Sequence, residues 1–308
     1  MEILSDWGLR YLAALIELVR ELWLFFAVGF LIAGLIAEFV PKETLMRYWG
    51  RNDLATLARS LAAGLVASLC SCGAIPIAAT LRDKGATRAA ALTFLAAAPW
   101  AGFVQLLVFY RFLGWGRTLL VFSGAMLVAL GIGAVIGWLE TRGWLDDRSR
   151  APASCACADE SEQSESHRAT LWHRLGRALR EAGEAAWSLG KYLAIGLLIT
   201  AALRAFVPHD WVSRYLGGNG VIAPVLLAVP VAAVVELCSE SFSIMGGQLY
   251  ELGASLGVVF VVVLVGVTTD WTELAMIWGK FGRRSAIAYV ITGTVLTVLL
   301  GLALHQLR

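Results

Sequence analysis

The chain has 308 residues, of which 58% are hydrophobic and only 16% charged, with a mean hydropathy of +0.71 and a formal net charge of +2. An ordinary soluble domain carries about a quarter charged residues, so a water-soluble fold is excluded. A near-neutral chain without a basic stripe also lacks the footprint of a nucleic-acid binder.

The charges fall in short clusters between apolar runs of roughly 20 residues, the length that crosses a bilayer core. The fold class read from this is an all-α polytopic membrane protein. Residues 1–21 are amphipathic: Trp7, Tyr11, Leu15 and Leu18 recur at helical spacing with Arg10, Glu17, Arg20 and Glu21 between them, the pattern of an interfacial segment. No short apolar stretch ends in a small-residue cleavage site, so the first span is read as retained. Spans are predicted near 22–40, 58–81, 89–110 and 117–139, a first transmembrane repeat over 22–139. A polar linker occupies 140–185, and spans near 186–207, 221–250, 255–278 and 285–306 form a second repeat over 186–308. The expectation is about eight transmembrane helices in two repeated halves, with interrupted helices at the midplane.

The halves match in sequence. Glu38-Phe39-Val40-Pro41 parallels Ala205-Phe206-Val207-Pro208, Arg47-Tyr48 and Asn52 parallel Arg214-Tyr215 and Asn219, and Cys70-Ser71 parallels Cys238-Ser239. Leu81…Gly85-Ala86 likewise parallels Leu249…Gly253-Ala254, at an offset of 168 after one single-residue slip from 167. Four spans per half make the repeats parallel, whereas one re-entrant hairpin per half inverts them. The sequence leaves both open.

The linker carries Cys155, Cys157, Asp159, Glu160 and His167 in a serine-rich, acidic setting, a composition that favours partial disorder. With even spans per half, the linker and both termini share one face, and the positive-inside rule makes that face cytoplasmic. Cys155 and Cys157 with His167 are candidates for picking up a metal. Against that, a closed zinc site needs four ligands, and an incidental tether is the alternative.

Five cysteines, two pairs of them spaced Cys-x-Cys, argue against a disulfide framework. Cys70 and Cys72 flank Ser71 ahead of Gly73 and Pro76, which weaken helix inside an apolar segment. Irregular backbone in a membrane is tolerated only inside protein or beside water, and thiolates there suit Cu(I), Zn(II) or a metalloid. Both cysteines could instead be small packing residues. In the second half, Cys238 stands between Glu236 and Glu240, one helical turn apart. Carboxylates inside an apolar span default to functional candidates, with interfacial pairing as the plain alternative for Glu236. A third cluster, Thr268-Thr269-Asp270-Trp271-Thr272-Glu273, interrupts a span as Pro99-Trp100-Ala101-Gly102 does in the first half. Asp270 is a candidate ligand or proton carrier, and Glu273 a coupling or pairing residue.

The Cys70-Ser-Cys-Gly-x-x-Pro76 run followed by Leu81-Arg-Asp-Lys-Gly85-Ala resembles the ArsP-type predicted permeases. Cys238-Ser-Glu240, the linker cysteines and Gly266-Val-Thr-Thr-Asp270-Trp-Thr-Glu273 resemble more particularly their copper/zinc efflux transporter branch. The likeness covers about residues 20–306. It implies an inner-membrane, multi-pass permease exporting a toxic metal or organoarsenical, with Cys70, Cys72, Pro76, Cys238, Glu240, Asp270 and Glu273 as the residues carried over. The linker departs from that branch, which often has a histidine-rich one.

The function expected is alternating-access export of a thiophilic Cu- or Zn-like ion from the cytoplasm, coupled to protons. Cys70, Cys72 and Cys238 would bind the ion, with Glu240 and Asp270 completing the shell or carrying protons. No Gly-x-x-x-x-Gly-Lys-Ser/Thr run is present, so the chain itself is not read as an ATPase or another enzyme. The expected partners are the bilayer, a metal or metalloid as cargo, and further copies of the chain in a homo-oligomer, with no tightly bound cofactor. Rival readings are efflux of an organoarsenical or small sulfur compound by the same fold, a membrane thiol redox protein, and a metal sensor.

Overall fold

The computed structural model describes residues 42–145, 239–251 and 253–305, the helical stretch 30–36 and scattered positions elsewhere. Cys155, Cys157, His167, Glu236 and Cys238 lie outside the described residues, as do most of 1–21, the predicted spans near 186–207 and the first part of 221–250. The side chains of Cys72 and Glu240 lie outside them too.

Among the described residues every regular element is helical. In chain order these are α1 (Lys42–Trp49), α2 (Leu54–Ala67), α3 (Ser71–Asp83), α4 (Arg88–Ala97), a 3-10 turn (Ala98–Ala101), α5 (Phe103–Thr141), α6 (Ser239–Glu251), α7 (Leu256–Thr268), α8 (Trp271–Phe281) and α9 (Arg283–His305). By length and composition α5 and α9 can each cross a membrane, and α7 with α8 makes a third crossing if their 47° bend is one broken span.

α5 has two arms. Gly114 takes φ 76 and ψ 169, non-helical values inside the helix. Gly133 in the long arm lies against Thr93, and Gly137 against Ala89. Only a sharp turn at Gly114 lets residue 103 follow α4 directly while residue 133 returns to it. The long arm, 115–141, rises about 40 Å at 1.5 Å per residue. Trp115 near one end and Trp138 and Trp144 near the other are half to two-thirds exposed, as aromatic side chains at the two membrane boundaries are.

α9 crosses antiparallel to that arm, with Gly131 against Leu296 and Gly293 against Ile132. Its Ile287, Ile291, Val295 and Leu299 form an exposed apolar stripe every fourth residue, while Tyr289, Gly293, Thr297 and Gly301 face inward. An apolar outward face is what lipid requires and water does not tolerate at this extent. α7 is buried along its whole length, as a helix apolar on every side should be.

Contacts at the helix ends define two faces. At the near face Asn52 donates to Glu140 Oε2 at 3.2 Å, the Thr87 N–H donates to the Trp49 carbonyl at 3.0 Å, and Arg284 donates to the Trp144 carbonyl at 3.0 Å. At the far face His305 Nδ1 meets Ser255 Oγ at 2.6 Å, and the Arg117 guanidinium lies 5.4 Å over the Tyr250 ring.

Two expectations change here. Residues 52 and 87 share the near face, so the predicted span near 58–81 does not cross. α2 descends, turns at 68–70, and α3 returns: a re-entrant hairpin. Leu145, inside the predicted linker, and His305 consequently end on opposite faces, whereas even spans per half would put them on one. The near-face turn is also less solvated than its charges suggest, because Arg88 is 6% exposed and donates to the Leu145 carbonyl. That carbonyl follows the end of α5 and needs a donor.

The turns at 84–87 and 253–255 share a geometry on opposite faces. Gly85 and Gly253 have φ of 99 and 92, a region that penalises any side chain. Ala86 N bonds Leu81 O at 3.0 Å and Ala254 N bonds Leu249 O at 2.9 Å, and Thr87 and Ser255 then N-cap α4 and α7.

Candidate functional site

Three helices, α3, α5 and α8, begin in the interior, away from both faces. α2 ends because Ser68 adopts a left-handed conformation, φ 47, with its N–H on the Gly64 carbonyl at 3.2 Å. Gly64 sits against Phe94, Ala97 and Ala98 with no room for a side chain, which sets the hairpin tip at the level of the 3-10 turn. Cys70 is extended (φ −62, ψ 160) and N-caps α3 through its backbone, its carbonyl accepting from Gly73 N and Ala74 N at 3.1 and 3.0 Å. The interruption thus falls at 68–70, ahead of Gly73 and Pro76, and the helix runs through both. A proline costs only the one N–H that would have reached the carbonyl four residues earlier, here that of Cys72. Cys72 is the second residue of α3 and Glu240 the second of α6.

The other two starts follow similar logic. Pro99 opens the 3-10 turn, where its missing N–H is harmless, and buried Trp100 and extended Gly102 lead into the short arm of α5. Thr268 and Thr269 end α7, their hydroxyls bonding back to the Leu264 and Val265 carbonyls at 2.9 and 2.7 Å. Asp270 then N-caps α8, its Oδ1 accepting from Thr272 N at 2.7 Å and Glu273 N at 3.4 Å. Within α6 the carbonyl of buried Ser239 accepts from Ser243 Oγ at 2.8 Å.

α3 packs on α8, and both run to the near face, where Lys280 pairs with Asp83 at 2.7 Å. α6 packs on α5, and Phe112 near the end of its short arm lies against Gly247. These two run to the far face. α3 and α8 on one side and the short arm of α5 on the other therefore point their amino ends inward from opposite directions. A helix amino end carries unpaired N–H groups and about half a positive charge, so the interior between them is electropositive before any side chain is counted.

The side chains temper that field unevenly. Glu273 is 2% exposed and accepts the Tyr289 hydroxyl at 2.7 Å. Among the described residues no cation pairs with Glu273 or Asp270. Across the centre Gln105, in the first turn of the short arm of α5, is 1% exposed and its Nε2 has no hydrogen-bond partner. Cys70 is half-buried at the hairpin tip. Among the described residues no three His, Cys, Asp or Glu side chains gather around one point that could hold a metal ion. A cavity of about 600 Å³ between Leu139, Trp144, Arg284 and Ile291 sits at the near boundary, remote from this centre.

Of the expected residues, Cys70, Pro99, Thr268, Thr269, Asp270 and Glu273 stand at interior helix ends. Gln105 and Tyr289 were not expected. The repeat offset itself held the signal for one of them, since Gln105 stands 168 residues before Glu273.

Comparison with known proteins agrees with a membrane transport role. The chain is 28% identical over 291 residues to the UPF0718 protein YcgR of Bacillus subtilis, covering 94% of each. It is 23% identical over 295 residues to a Streptococcus mutans protein described as a candidate subunit of a two-component membrane permease complex, covering 94% of this chain and 93% of that one. UPF0718 protein MJ0584 of Methanocaldococcus jannaschii is 21% identical over 333 residues, covering 90% and 91%. None of these names mentions copper or zinc. No solved structure matches the chain. The family model ArsP_1, described as predicted permease, matches residues 10–306, and the chain belongs to that family.

Proposed function

We propose that this permease is a secondary transporter that exports a thiophilic metal ion across the inner membrane by alternating access. Cys70, Cys72 and Cys238 bind the ion at the interrupted helices, Glu240 and Asp270 complete its shell, and Glu273 carries the coupled proton. The observation that carries the reading is the re-entrant tip at Cys70, set beside the break at Asp270 by the packing of α3 on α8. Substrate sites of transporters with duplicated halves lie at such discontinuous helices near the midplane.

The matched turns at 84–87 and 253–255, on opposite faces, support two repeated halves related by inversion. On that reading each half contributes one hairpin and one broken span, and the linker keeps its cytoplasmic assignment. The Streptococcus mutans relative's description supports assembly with further subunits.

A second reading keeps the site and changes the cargo to an organoarsenical or a small sulfur compound. Inward-pointing helix amino ends favour it, because they oppose a bare cation and suit an anion or a polarised thiol ligand. Uptake into inverted vesicles decides between them, using Cu(I), Zn(II) and a methylated trivalent arsenical with the native chain and a Cys70→Ser/Cys72→Ser variant. Cysteine-dependent uptake of a metal supports export of the ion, and of the arsenical the second reading. No uptake of any of the three removes the metal proposal.

A further inference from the structure

We infer that Gln105 and the open amino end of the short arm of α5 form a hydrogen-bonding subsite for an anionic oxygen of the substrate, which makes the cargo a soft oxyanion. The inference rests on the midplane reading above and selects within its second substrate class.

The two broken spans are built alike and finished differently. Gly102 and Asp270, both just before a helix start, stand 168 residues apart, as do Gln105 and Glu273. At α8 the Asp270 carboxylate covers the first N–H groups, and Glu273 is satisfied by Tyr289. At α5 the capping position is Gly102, which has no side chain to accept from the helix. The position matching Tyr289 is Val121, fully buried and unable to bond anything. The Gln105 Nε2 is left without a hydrogen-bond partner, and the carboxamide lies over the break, with Oε1 3.9 Å from where a Cβ on Gly102 would stand.

A buried unpartnered amide costs the folded state its desolvation, and a leucine would fill the same space without that cost. Such a group persists where a ligand supplies the missing partner. The unpaired N–H groups of the first turn and the Gln105 Nε2 are all donors, so the ligand atom they face is an acceptor, and the helix end favours negative charge on it. Cys70 at the neighbouring hairpin tip makes the other side of the site soft. An anion with both a soft atom and charged oxygens matches the two.

The test uses sodium thiosulfate as probe, with the full-length protein in lipid nanodiscs and isothermal titration calorimetry. The native chain is expected to bind it, and Gln105→Leu to weaken binding at least tenfold while its melting temperature stays the same or rises. Gln105→Asn, which keeps an amide, is expected to retain part of the affinity. The inference is overturned if the native chain does not bind thiosulfate or if Gln105→Leu binds it equally well. It is overturned too if Gln105→Leu melts lower, since the amide would then be a satisfied structural group. Vesicle uptake separates the two claims. Cu(I) uptake unaffected by Gln105→Leu leaves the metal proposal standing without the subsite, whereas thiosulfate binding without uptake of any solute removes transport and keeps the subsite.

Discussion

Replacing Tyr289 by phenylalanine removes one atom from the interior, the hydroxyl that donates to Glu273 Oε1 at 2.7 Å. Both side chains are at most 2% exposed, so water cannot take the lost donor's place. A hydrogen bond contributes about 0.5–1.5 kcal/mol net, and leaving a buried group unpaired costs about 1–3 kcal/mol. Tyr289→Phe is therefore expected to lower stability by about 2 kcal/mol, a factor of roughly 30 in the unfolding equilibrium. Unfolding in mixed micelles, followed by circular dichroism, reads this directly. The companion variant is Glu273→Leu/Tyr289→Phe, which removes donor and acceptor together and should recover most of the loss, because an apolar pair leaves nothing unsatisfied. The reasoning is refuted if Tyr289→Phe matches the native chain within the error of the titration, or if the double variant is less stable than the sum of the singles. Glu273→Gln keeps an acceptor for the hydroxyl, so it should fold normally while flattening the dependence of uptake on external pH.

Four further outcomes follow from the geometry. Single cysteines at Asn52 and Lys84 in a cysteine-free chain should react with an impermeant maleimide from the same side, and one at Gly253 from the other. Labelling of Asn52 and Lys84 from opposite sides would show that α2 and α3 cross after all. Gly64→Leu pushes a side chain into Phe94 and Ala97 and should cost about 1–3 kcal/mol through overpacking, measured by the same unfolding titration. Charge reversal of Lys280 or Asp83 alone should destabilise by no more than about 1 kcal/mol, since both are partly exposed, and the double reversal should restore the native value. Asp53 lies outside the spans, and its hydrogen bonds to Thr56 hold its carboxyl below the usual range. Its contribution is therefore present above the ordinary aspartate pKa and lost as pH falls through the lowered one, so the melting temperature of Asp53→Asn should converge on the native one in acid.

The breaks at 98–102 and 269–270 were legible because Pro, Gly, Thr and Asp disrupt helix by local chemistry that needs no knowledge of the fold. The direction of 54–83 was not legible. A segment of that length and hydropathy can cross a bilayer or double back within it, and its local signals are the same in both cases. What decides is remote: Gly64 accepting the backbone at Phe94, and Asn52 reaching Glu140. Pro76 misled for a related reason, since proline marks a break only where the helix needs its N–H, and the chain had already broken at Ser68. Arg88 follows the charged residues Arg82 and Lys84 in sequence, yet a first-turn position on α4 carries it under the end of α5.

Gln105 shows what a repeat adds to such reading. Alone it is one amide in an apolar run, and nothing in its neighbours marks it. Paired with Glu273 across the 168-residue offset, it becomes the neutral member of an otherwise acidic position. The same offset sets Gly102 against Asp270 and Val121 against Tyr289, while the turns at Gly85 and Gly253 keep their geometry. Packing alone would leave no reason for the two halves to diverge there, because both breaks meet the same need to end one helix and start another. On the proposal above, a site holding a proton on one side and an anionic oxygen on the other would require that difference. Its two sides would open to opposite faces if the halves move against each other, which is how one asymmetric centre can couple two solutes.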